Sequence, residues 1–423
     1  MQRPLTTRTP RAESSARHDR RPALALALLV VGATLGYGAA AQLVERPLLN
    51  PDELRYVLAA RAVADGGWLE LRGHGYGYGP VYPLVVAPVI AAAGDVEAAY
   101  GVIKVVNALA FALAAVPIYL LARRLLAPWW SIAVAALSLA IPSSIYTSLV
   151  LTESTAYLVA SASLLAVVLA LERASVTRQL AMLGAVGVAF LTRAQFASLL
   201  GVFLAGFLLL GAVDARRPPL RRAVARLWPT LAALALAVGA LVSRALVSSP
   251  DETLGGYGDL WRGYDVASVG RLAVYHLAGW EPYLFVVPLV VAPVVVVQML
   301  RAARSGARRE GAFVAVFLTA NAASLVIAAA FASTPYGWQE LHDRYVFYVA
   351  PLWLMGLCLW LARGLPRPPV PIAIGAALAV VLAALLPFGL LTGNTVFEAP
   401  PTALWSAVWD AVEGTPHLDG RRA

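Results

Sequence analysis

Residues 153–171, ESTAYLVASASLLAVVLAL, put one acid, Glu153, ahead of an uncharged apolar run. At about 1.5 Å of rise per residue such a run nearly crosses a hydrocarbon layer of about 30 Å. Read plainly, Glu153 is an acid at a helix start after Thr152, favoured there by the helix dipole. It also has a functional reading, because ionisable groups at membrane depth are rare and usually do chemistry. The rest of the chain repeats the pattern. Its 423 residues are 60% hydrophobic and 13% charged, with mean hydropathy +0.72. A soluble domain carries roughly 25% charged residues, so soluble and disordered classes are both excluded.

Further apolar runs lie near 22–43, 101–122, 129–149, 179–192, 196–213, 229–247, 283–300, 311–332, 346–362 and 370–391. With 154–171 they predict an all-α polytopic membrane protein with about 11 transmembrane helices. Segment 80–93 is apolar but short and holds Pro80, Pro83 and Pro88. It is expected to be a juxtamembrane helix in the first outer loop.

Basic residues set the orientation. Arg3, Arg8, Arg11, Arg17, Arg20 and Arg21 crowd the tail 1–21, which is expected in the cytoplasm with the Arg-rich loops near 123–124, 173–178, 214–228, 301–310 and 363–367. An Arg-rich start followed by an apolar stretch and Ala39-Ala40-Ala41 also fits a signal peptide loosely, though the stretch is long for one. The expected layout is a basic tail 1–21, a membrane domain 22–391 and an extracytoplasmic tail 392–423. Within the domain, 44–100 is the catalytic outer loop, and 248–282 and 333–345 are further outer loops. The net charge of +9 is read by this placement, against membrane lipid, and not as a nucleic-acid footprint. A lone cysteine, Cys358, excludes an internal disulfide and a thiolate cluster.

The inner loops contain no phosphate-binding Gly-rich motif. Polar and aromatic residues gather on the other face. The first outer loop holds Asn50-Pro51-Asp52-Glu53-Leu54-Arg55-Tyr56, Asp65-Gly66-Gly67-Trp68 and His74-Gly75-Tyr76-Gly77-Tyr78-Gly79-Pro80. Other outer patches are Leu151-Thr152-Glu153-Ser154, Leu191-Thr192-Arg193 and Glu340-Leu341-His342-Asp343-Arg344-Tyr345, with Asp251, Glu252, Asp259, Asp265 and His276 in loop 248–282. No nucleotide-activated donor exists outside the cell, so a transferase there needs an activated group carried by the membrane. A polyprenyl-phosphate sugar meets that need. Its phosphate wants Arg or His, and an acceptor hydroxyl wants a carboxylate base.

Residues 47–72, with their Asp-Glu pair, Gly-Gly-Trp turn and following Pro-rich helix, resemble the first periplasmic loop of the aminoarabinose transferases of lipid A. Those group with protein O-mannosyltransferases among the C-type, polyprenyl-phosphate-dependent glycosyltransferases. Glu153, Leu-Thr-Arg at 191–193 and the 342–345 stretch are similar in placement. The resemblance spans about 1–350 in architecture and is specific in 47–90. It departs at Gly79-Pro80, where those transferases carry Lys-Pro, and it lacks their large soluble C-terminal domain.

The resemblance implies inverting transfer of a hexosyl or pentosyl group to a glycan, lipid or protein acceptor at the outer face of the cell membrane. It assigns Asp52 as base, with Glu53 and Glu153 as further catalytic acids. Arg193, His342, Arg344 and Tyr345 are expected at the donor phosphate, and Arg55, Tyr56, Tyr78 and Tyr82 in the substrate loop. Arg55 has a second reading, as a partner that orients Asp52 or Glu53. His74, His276 and His342 with neighbouring carboxylates leave a divalent metal open, although their spacing is not a metal motif; no cofactor is otherwise expected. Rival classes are a transporter or flippase of a lipid-linked or envelope precursor, which would carry ionisable groups at mid-membrane, and a non-catalytic scaffold.

Overall fold

The structure is a computed structural model, and it describes residues 20–44, 51–71, 74–213, 224–249, 263–392 and 397–402. Residues 1–19 of the basic tail, Asn50, the loop arginines Arg216, Arg217, Arg221 and Arg222, the acids Asp251, Glu252 and Asp259, and the tail past 402 lie outside the described residues.

The chain is a polytopic helical membrane protein. It runs α1 (Arg21–Ala41), α2 (Pro51–Ala64), α3 (Val81–Ala93), α4 (Val96–Leu113), α5 (Ala115–Ala122), α6 (Pro128–Leu139), α7 (Glu153–Glu172), α8 (Val176–Thr192) and α9 (Ser198–Val213). The later apolar helices are Trp228–Val247, Val286–Arg304, Arg308–Ala332, Asp343–Ala362 and Pro369–Leu385. A ribbon in the first loop, Glu70–Leu71 against His74–Gly75, is the sole pairing of strands among the described residues.

Every apolar run in the sequence appears as helix, but not every one as a simple span. Among the described residues, eight helices are long and apolar enough to cross a membrane, or nine if one bent pair counts. That pair is α6 with the 3-10 turn Pro142–Ser148, bent by 61°. Pro142 has no N–H to donate, so α6 stops before it. α8 and Pro369–Leu385 are shorter, with 17 residues each. The run expected from 283 is broken at Phe285, whose φ is 63°, and its helix starts at Val286. α3 has 13 residues, about 20 Å at 1.5 Å per residue, too short to span.

Helix starts follow side-chain chemistry. Asp95 accepts from the Ala98 N–H to start α4, and Ser175 accepts from the Arg178 N–H to start α8. α7 is central, with 67% of its most apolar stretch buried. α1 and Trp228–Val247 show only 6% buried there and face outward, as lipid-facing helices do.

One core joins α4 to α9 with the later helices through the ring stack Phe111, Tyr157 and Phe347. A second core, with Ala60, Tyr82, Val86, Ile103 and Val150, docks α2 and α3 onto α4. The first loop is therefore packed against the bundle, not suspended over it. Lys104 fixes its root. Its Nζ donates to the carbonyls of Ala41 (2.8 Å) and Val44 (2.6 Å) at the end of α1, and lies 4.5 Å from the Tyr100 ring centroid.

Candidate active site

Three segments meet at one end of the bundle: the start of α7, the link between α8 and α9, and the start of Asp343–Ala362. Glu153 is the first residue of α7 and is fully buried. A lone carboxylate there would cost several kcal/mol in desolvation. Two guanidinium groups compensate it. Arg193 donates to Glu153 Oε1 through Nη1, and Arg344 donates to the same oxygen through Nε (2.9 Å), with Nη2 at 2.7 Å.

Arg344 is a hub. Its Nη2 also reaches Asp52 Oδ2 at 3.0 Å, and its Nη1 reaches Glu398 Oε1 at 3.0 Å. Asp52 sits in the first turn of α2 and takes a second bond from Arg55 Nη1 at 3.1 Å. Tyr78 and Tyr345 flank the arginines, with Arg55 5.3 Å over the Tyr78 ring and Arg193 5.2 Å over the Tyr345 ring.

The adjacent carboxylates of the Asp-Glu pair diverge, as successive helical residues must. Asp52 faces the arginines. Glu53 turns inward, accepts from the Val150 N–H at 2.8 Å and is buried. Burial raises its pKa, against the Val150 bond and the charge of Lys104. Glu53 therefore ties the first loop to the link before α7. Tyr56 lies between the two groups, edge-on to Tyr82 at 5.4 Å, and its hydroxyl is shifted upward by burial and by Asp52.

Tyr82, expected in the substrate loop, is fully buried and accepts from Asn107 Nδ2 at 3.1 Å. Its ring has no open face for a sugar. Gly79 explains the departure at Gly-Pro. A Cβ there would lie 2.3 Å from the Thr192 carbonyl oxygen and 2.7 Å from that of Leu191. The backbone of the loop rests directly on the end of α8, next to Arg193, and no side chain fits.

His342 is engaged on both ring nitrogens. Nδ1 lies 2.7 Å from Glu398 Oε2, and Nε2 lies 2.9 Å from the Gly337 carbonyl. His276, stacked at 6.3 Å, is committed as well: Nδ1 meets the Leu272 carbonyl and Nε2 accepts from the His342 backbone N–H. Burial lowers the pKa of His276 to about 4. The ring nitrogens of both histidines are thus used by the protein, and among the described residues no three His, Cys, Asp or Glu are grouped to hold a metal. His74 is exposed on the first-loop ribbon.

Glu398 is the member of the cluster that sequence reasoning missed. It lies in the segment expected to be a tail, and nothing in Phe397-Glu398-Ala399-Pro400 marks it. Burial pushes its carboxyl upward, but Arg344 and His342 outweigh that and hold it at about 2.

Beside the cluster lies a small recess between α7, α9 and Arg308–Ala332. Leu164, Leu199, Val202 and Ile327 make its wall apolar, and Gln195 and Tyr345 stand at the side of Arg193. The site thus joins Arg55, Arg193, Arg344 and Asp52 to a neighbouring apolar recess through Tyr345, which lines the recess and lies under Arg193.

No protein-family model matches the chain, and no curated protein matches it. Solved structures do. ArnT from Cupriavidus metallidurans bound to undecaprenyl phosphate matches with a TM-score of 0.50 at 23% identity, over 91% of this chain and 69% of that one. The apo state of that ArnT matches with a TM-score of 0.50 at 21% identity, over 92% and 69%. The archaeal oligosaccharyltransferase AglB from Archaeoglobus fulgidus, in complex with an inhibitory peptide and a dolichol-phosphate, gives a TM-score of 0.45 at 13% identity, over 94% and 59%. The chain shares the fold of ArnT.

Proposed function

We propose that this chain, having the fold of ArnT, is a membrane glycosyltransferase that moves a sugar from a polyprenyl-phosphate donor to an acceptor hydroxyl on the extracytoplasmic face. The observation that carries the reading is the convergence of Asp52, Arg55, Arg193 and Arg344 beside an apolar cavity at one end of the bundle. The charge distribution supports the side: the inner loops are rich in arginine, and this end is the opposite one. ArnT was solved bound to undecaprenyl phosphate, a lipid with one anionic head and one apolar tail. The arginines offer a partner to the anionic head, and the recess beside them has the apolar lining that a tail requires.

In the proposed step, Asp52 accepts the proton of the acceptor hydroxyl. The acceptor oxygen bonds to the anomeric carbon from the face opposite the phosphate. The bond from that carbon to the phosphate oxygen breaks, and its electron pair leaves with the polyprenyl phosphate. Asp52 then releases its proton to water. Attack from the opposite face inverts the anomeric centre.

The arginines divide the remaining work. Arg344 has its donors committed to Glu153, Asp52 and Glu398, so it acts mainly by fixing Asp52. Arg193, over Tyr345 and next to the cavity, and Arg55, over Tyr78, are the cations best placed for the phosphate. Their charge stabilises the leaving group as it forms. Tyr78 contributes a ring edge to the substrate loop.

The test is incubation of the purified full chain with a panel of polyprenyl-phosphate sugars and envelope extracts, with products identified by mass. Glycosylated acceptor together with free polyprenyl phosphate is the expected result. Uptake of the lipid-linked sugar into proteoliposomes with no bond formed would replace this reading with a transporter.

A further inference from the structure

Glu398 has no part in the step above, yet it is bound more tightly than any other residue of its segment. Its carboxylate bridges Arg344 Nη1 (3.0 Å) and His342 Nδ1 (2.7 Å). Its own carbonyl accepts from the Arg344 backbone N–H at 3.2 Å. The preceding carbonyl, of Phe397, accepts from the buried Tyr146 hydroxyl at 2.6 Å. Ala399 is fully buried and Thr402 nearly so. The segment after the last apolar helix is thus seated in the bundle at three successive residues, and a seated segment delivers its side chain to a fixed point.

We propose that Glu398 is a positioning residue of the active site, holding Arg344 and His342 from the side opposite Asp52. This rests on the glycosyltransferase reading. The guanidinium is a rigid planar fork. With Glu153 on its Nε edge and Glu398 on Nη1, the direction of Nη2 is set, and Nη2 is the group that holds Asp52 Oδ2. Glu398 also meets one ring nitrogen of His342, whose other nitrogen meets the Gly337 carbonyl, so it helps hold the turn carrying Gly337. The titratable groups around it are Arg344 and His342 in contact and Asp343 and Glu340 nearby, with Asp52 and Glu153 on the other donors of Arg344. Removing its charge leaves Arg344 with two carboxylates and a free donor, so the fork can rotate and Asp52 loses its fixed partner.

The experiment uses the full chain in lipid nanodiscs, as wild type, E398Q and E398D. Glutamine keeps the shape and one acceptor, so the fold is retained. Histidine-labelled protein reports the five imidazoles by nitrogen NMR, with H342Q assigning His342. The expected results are a His342 imidazole signal displaced in E398Q from its wild-type position and restored in E398D. In transfer assays kcat of E398Q falls about 10-fold or more while the donor KM stays within about 2-fold, and E398D regains part of the loss. An unchanged His342 signature in E398Q, or a loss seen in KM alone, overturns the proposal. If wild type transfers no sugar, the glycosyltransferase reading falls, and the His342 signature still decides whether Glu398 holds this cluster.

Discussion

α7 carries a buried glutamate at each end, each met by two arginines, and the two ends behave differently. At the last residue, Glu172 takes Arg124 through both its oxygens (2.9 and 2.6 Å), with Arg178 at 3.6 Å. They come from the turn after α5 (Arg124), the end of α7 (Glu172) and the start of α8 (Arg178). That cluster closes on itself and holds helix ends together. At the first residue, Glu153 takes Arg193 and Arg344, the latter 191 positions away in the chain. This cluster continues into Asp52, Arg55, Glu398 and the apolar cavity. The same pairing is a latch at one end and a platform at the other. The difference lies in what the second donors of the arginines touch: at Glu153 those of Arg344 are spent on two further carboxylates, Asp52 and Glu398.

The largest expected effect separates the platform from its chemistry. Asp52→Asn removes the proposed base and lowers kcat by about 10²–10⁴-fold. Donor binding and melting temperature stay near wild type, as checked by product mass and lipid binding. Full transfer by this variant would remove Asp52 from the mechanism.

Next come paired changes at the two glutamates. Glu153→Gln leaves Arg193 and Arg344 short of a buried anion, costs about 3–5 kcal/mol, and abolishes transfer. Glu172→Gln lowers the melting temperature as well, but activity per folded molecule persists. Equal activity losses in both variants would erase the distinction between latch and platform.

A smaller effect comes from Gly79→Ala. The new Cβ must push the end of α8, and Arg193 with it, because the Thr192 carbonyl stands 2.3 Å away. The donor KM is expected to rise more than the melting temperature falls. Gly270→Ala, with open space at its Cβ, is the control and changes neither.

Acid sensitivity gives the finest contrast. Glu398, held at about 2 against an ordinary 4.5, binds fewer protons folded than unfolded between those values. Its stabilisation is present above pH 4.5 and is lost as pH falls toward 2. His276, lowered from 6.5 to about 4, stays neutral when buried, so folding loses stability as pH drops from 6.5 to about 4. Glu53, raised, acts with the opposite sign above its ordinary value of 4.5. Melting curves should show E398Q with a weaker decline below pH 4.5 and His276→Asn with a weaker one between 6.5 and 4.

The sequence made the membrane class and the run positions legible, because helix formation in an apolar layer depends on local composition. It pointed to Glu153 and Arg193 because charges next to apolar runs are costly and stand out, and to Asp52 and Arg344 through the patterns of their loops; the structure brings the four together. It did not show that Glu53 turns inward or that Tyr82 is buried, since a residue's facing depends on what packs against its helix. Lys104, the sole lysine in the chain, carries no local mark of its role. The structure shows why a compact ammonium suits it: two carbonyls and a ring converge on a single point.

Hydropathy and arginine placement alone determined that this chain threads a bilayer many times and gathers its polar residues at one face. Both follow from the cost of moving single residues into hydrocarbon. Tertiary structure alone decided that Glu398 joins the cluster, that Arg344 serves three carboxylates, and that a cavity opens beside Arg193. Those depend on segments hundreds of residues apart meeting at one point, and no local cost records such a meeting.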